Sequence, residues 1–161
     1  MKKCVFSLII FAVLLLQLTI LDYFKIFGAK PDLLLASIII ASLFFESKWV
    51  IVFAVFAGIL KDIFGINTLG INVVLFPLWG FIVIELSKRL SIENNFIYLG
   101  FIFVISILNS MMLRLIFMFM GRLVVPWFVF MRIIFFESLY TTLISSLLFK
   151  ITKPVLLKYN T

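Results

Sequence analysis

Histidine is absent from this chain of 161 residues, and cysteine occurs once, as Cys4. A disulfide framework is therefore excluded, as is any Ser-His-Asp or Cys-His nucleophile formed within the chain. Almost nothing remains to ligate zinc, haem or an iron–sulfur cluster, so no metal and no cofactor are expected. Acidic side chains number only seven and are scattered. Proton or phosphoryl chemistry needs convergent carboxylates, or carboxylates with a metal, so no catalytic residue is assigned. Gly65 and Gly70 are each followed by isoleucine, which rules out a Walker loop. The excess of basic residues gives a net charge of +7 but forms no aromatic-interleaved groove, which excludes nucleic acid as a partner.

What fills the chain instead is apolar. Hydrophobic residues make up 65% of it, with 21 phenylalanines, and charged residues only 13%. A soluble domain of this size could not hide that surface, so the solvent is lipid and the modest positive charge fits anionic headgroups and cytoplasmic loops. Apolar runs fall at Val5–Leu21, Leu33–Phe45, Trp49–Leu60, Val73–Ile84, Phe96–Met120 and Phe128–Phe149. The second and third are short. At about 1.5 Å per residue neither alone covers a hydrocarbon core of roughly 30 Å. The pattern predicts an all-α, polytopic membrane bundle, one domain over residues 1–161, with about six spans and five as the other possibility. Eight basic residues (Lys2, Lys3, Lys48, Lys88, Arg89, Lys150, Lys153, Lys158) fall on the side of the N-terminus. Five (Lys25, Lys30, Lys61, Arg122, Arg132) fall on the other. The bias favours both termini in the cytoplasm.

Ionisable groups inside apolar segments are functional candidates, because lipid does not solvate them. Arg114 in the fifth run and Glu137 in the sixth are read as an intramembrane ion pair. Ser138, Thr141 or Thr142, and Ser145 recur at helical spacing, a stripe expected to pack against another helix through hydrogen bonds. Ala54 and Gly58 form a small-xxx-small face, with Asp62 one turn further along.

The stretch "KPDLLL" at Lys30–Leu35, followed by "GILKDIFGINTLGIN" at Gly58–Asn72, resembles the bacterial rod shape-determining MreD family. The motif falls on Pro31, Asp32, Gly58, Asp62, Gly65, Leu69 and Gly70. Lys61 stands where that family usually has an apolar residue. The resemblance implies a non-catalytic scaffold of the cell-elongation machinery in the bacterial inner membrane. Its implied partners are an MreC-type membrane-anchored protein and, indirectly, the MreB filament and the peptidoglycan glycosyltransferase and transpeptidase. It also implies a fold similar to the substrate-binding subunits of energy-coupling-factor vitamin transporters, and such a subunit is the alternative reading. From the residues themselves, Asp62 is expected to accept backbone N–H bonds from the following turn or from the start of the next helix.

Overall fold

The computed structural model describes residues 2–19, 31–64, 70–89, 95–121 and 126–158. Six helices follow one another: α1 (Lys2–Thr19), α2 (Leu33–Phe44), α3 (Ser47–Phe64), α4 (Ile71–Arg89), α5 (Asn95–Phe119) and α6 (Trp127–Lys158). Each coincides with an apolar run, so the chain is an all-helical bundle. Three helical stretches, Ile71–Arg89, Ile97–Phe119 and Trp127–Pro154, are long and apolar enough to cross a membrane. Two boundaries differ from the sequence reading. Helix α3 runs on past Leu60 to Phe64, with Lys61 and Asp62 in its last turns, where Asp62 is expected at the helix end. Helix α6 continues beyond Phe149, through Pro154, to Lys158.

Helix α2 occupies the middle and packs against all five other helices. Its residues from Leu33 to Ser42 are all buried. This accounts for its length. Twelve residues give about 18 Å of helix, shorter than a hydrocarbon core of roughly 30 Å, and its cover of protein on every side keeps this short helix out of contact with lipid. Phe45 closes it in extended conformation, with its N–H on the Ala41 carbonyl. At this end the rings of Phe6, Phe45 and Phe53 cluster, with centroids 5.0 to 5.1 Å apart.

Helices α3 and α4 approach each other most closely where α3 presents Ala54, Ala57 and Gly58, all buried. A Cβ at Gly58 would lie 2.6 Å from the Asn72 carbonyl oxygen and 2.8 Å from Val73 Cα. The start of α4 therefore rests directly on the α3 backbone. Gly80, on the facing helix, is less constrained: a Cβ there would meet the Val50 Cγ1 methyl at 3.2 Å.

Gly58→Ala should lower the stability of the purified protein by about 1–3 kcal/mol, since backbone cannot yield as a side chain can. Gly80→Ala should cost less, because the Val50 methyl can shift. Melting temperatures in one detergent check the ranking, and equal losses would contradict it.

Candidate functional site

The start of α2 is buried, and a helix start carries backbone N–H groups with no partner inside the helix. Water cannot reach these donors, so protein must satisfy them. Asp32 does so as the N-cap, its Oδ1 accepting from the Leu35 N–H at 3.2 Å. The Asp32 N–H itself donates to Thr141 Oγ1 of α6 at 3.0 Å, and the Leu34 N–H donates to Gln17 Oε1 of α1 at 3.3 Å. Three helices thus meet at one capped terminus. Thr141 relays further by donating its own hydroxyl to the Glu137 carbonyl at 2.7 Å.

The second oxygen of Asp32 receives the Lys61 ammonium, a direct salt bridge between α2 and α3. The Asp32 side chain is 5% exposed and that of Lys61 20%. The ammonium also lies 4.9 Å from the centroid of the Phe76 ring on α4, a cation–π distance. No pattern along the chain explains a lysine here. The structure supplies a reason: it neutralises a carboxylate that capping has placed out of reach of water.

Asp62 serves the next helix. Its Oδ2 accepts from the Val73 N–H at 3.1 Å and its Oδ1 from Asn72 Nδ2 at 2.7 Å. It therefore holds donors in the first turn of α4, directly beyond Gly70, whose φ of +82° marks a left-handed turn suited to glycine. Pro31, Asp32, Gly58, Asp62 and Gly70 are thus gathered at the junction of α2, α3 and α4. Gly65 and Leu69 lie outside the described residues.

The polar stripe on α6 divides. Ser138, Thr141 and Ser145 are fully buried. Thr141 reaches across to α2, whereas Thr142 and Ser145 donate to carbonyls of their own helix, at 2.7 and 2.8 Å. The Arg114 guanidinium sits over the rings of Phe130 and Trp127, 4.0 and 5.3 Å from their centroids. Glu137 follows further along α6. One buried link has no counterpart in the sequence reading: Trp79 Nε1 donates to Asn109 Oδ1 at 3.0 Å, joining α4 to α5. The signal for it was an asparagine within an apolar run.

Both aspartates at the junction are committed as acceptors, Asp32 to a cap and a lysine, Asp62 to the start of α4. No group of three or more histidine, cysteine or carboxylate side chains that could hold a metal occurs among the described residues. The arrangement is one that fastens helices. A family model described as rod shape-determining protein MreD matches residues 2–157. No curated protein and no solved structure matches the chain significantly.

Thr141→Val removes the acceptor of the buried Asp32 N–H and should cost about 1–3 kcal/mol. Thr142→Val, which breaks only a bond within α6, should lie within about 0.5 kcal/mol of the parent. Unfolding of the two variants in the same detergent measures the difference, and equal effects would remove Thr141 from the junction.

Proposed function

This chain belongs to the rod shape-determining MreD family, and we propose that within it the protein serves as a non-catalytic membrane scaffold of the cell-elongation machinery. Membership carries a role in rod shape determination and a place in the membrane, in keeping with the three long apolar helices. The finer reading is that the scaffold binds an MreC-type membrane-anchored protein. Through that protein it bears on the MreB filament and on the glycosyltransferase and transpeptidase that build peptidoglycan. The observation that supports it is the extent of the family match, residues 2–157. The junction supports it too, because its motif residues hold helices together and so give a partner a fixed surface.

In this reading the chain lies in the bacterial inner membrane with six spans and both termini in the cytoplasm. The basic ends of α4, at Lys88 and Arg89, and of α6, at Lys150 and Lys153, support that orientation. A fold similar to the energy-coupling-factor substrate-binding subunits belongs to the same proposal, as does an Arg114–Glu137 pair between the packed helices α5 and α6.

Depletion in a rod-shaped host should round the cells, and an MreC-type protein should co-purify with the tagged chain in mild detergent. Rods that persist after depletion would overturn the shape role. Rounding without co-purification would keep that role and reject the partner.

A further inference from the structure

The first turn of α5 and the later turns of α6 meet at the end of the bundle opposite the aspartate junction. Tyr98 is 3% exposed there, and its ring stacks on Phe149 with centroids 4.6 Å apart. Phe149 is held in turn against Phe44 at 6.1 Å. The Tyr98 hydroxyl is buried and has no hydrogen-bond partner among the described residues. A buried donor left in that state is destabilising.

A cavity of about 40 Å³ opens beside it, lined by Tyr98, Leu99, Ser146, Phe149 and Lys150. The cations at this end are not equivalent. Glu46 pairs with Lys48 at 3.1 Å, and Glu85 pairs with Lys88 and Arg89 at 3.6 Å each. Lys150 and Lys153 have no carboxylate partner among the described residues, and Lys153 Nζ lies 5.7 Å from the centroid of the Phe149 ring. Tyr98 with its orphaned hydroxyl, Ser146 and the unpaired Lys150 therefore line one small space. All three suit an acceptor-rich anion. The cavity holds little more than one water-sized group, so it admits the edge of a phosphate and not a whole headgroup. Its walls at Leu99 and Phe149 are apolar. Outside it, α6 exposes Leu143, Leu147 and Ile151 by 60% or more, a surface for acyl chains.

We propose that this cavity binds the phosphate of an anionic phospholipid. Tyr98 donates to a phosphate oxygen, Lys150 pairs with the charge, and the acyl chains lie along the exposed face of α6. Basic pockets between transmembrane helices bind anionic headgroups on this principle.

The test is native mass spectrometry of the full-length protein in detergent titrated with phosphatidylglycerol. The parent should retain the lipid through millimolar inorganic phosphate and should bind phosphatidylcholine more weakly. Tyr98→Phe and Lys150→Gln should each weaken retention about fivefold, the loss of one hydrogen bond or ion contact. Lys48→Gln, at the same end but with Glu46 as its partner, should leave it unchanged. Far-ultraviolet circular dichroism in the same detergent checks the fold, and the exposed Lys150 provides a variant that leaves the packing intact. Parent-like retention by Tyr98→Phe or Lys150→Gln would overturn the proposal. So would an equal loss in Lys48→Gln, equal binding of phosphatidylcholine, or displacement by inorganic phosphate.

Discussion

A helix that begins inside a protein inside a membrane must find partners for its first N–H groups, and α2 does so through Asp32. The choice of an aspartate has consequences. As an N-cap its carboxylate complements the helix dipole, but it brings a charge to a place where 5% of the side chain is exposed. An unpaired carboxylate there would be costly. Lys61 answers that cost, and in doing so fixes the last turn of α3 against the first turn of α2. Asp62, next in sequence, points its acceptors the other way and holds the start of α4. Two adjacent residues of opposite charge thus fasten α3 to its neighbours on both sides. Thr141 and Gln17 extend the same fastening to α6 and α1.

Packing depends on this junction and reinforces it. Because α2 is buried on all sides and contacts every other helix, its position sets the position of the bundle. Gly58 lets α4 start against bare α3 backbone, and that proximity brings the Val73 N–H within reach of Asp62. A side chain at Gly58 would lengthen the hydrogen bond as well as open the helix interface. The left-handed turn at Gly70 then directs the chain into α4. Steric and polar requirements meet on the same few residues, which is why a short motif can carry so much of the architecture.

Much of this was legible in the sequence. All six helices stand where apolar runs predict them, because in a membrane the hydrophobic pattern and the helix are nearly the same constraint. The stripe from Ser138 to Ser145 and the Ala54–Gly58 face could be read as packing surfaces from their spacing alone. The ends of α3 and α6 could not. The specific partners of Lys61 and Asp62 are Asp32, Asn72 and Val73, far away in the chain or beyond the turn. Periodicity reports which face of a helix is buried but not which side chain it meets. The Trp79–Asn109 bond was hidden for the same reason. The clue available was chemical: a lysine and an aspartate bordering separate apolar runs each need compensation, and each can supply it to the other.

The central claim is that Lys61 exists to neutralise Asp32. It is tested most directly by a double-mutant cycle on the unfolding of the purified protein in one detergent. Lys61→Met alone leaves the buried carboxylate without its cation and should lose about 3 kcal/mol. Asp32→Asn keeps an acceptor for the cap and should lose less. The double variant should be no less stable than Lys61→Met, giving a coupling energy at least as large as the loss from Asp32→Asn alone. Strictly additive losses would show that the two residues do not depend on each other, and would contradict the account.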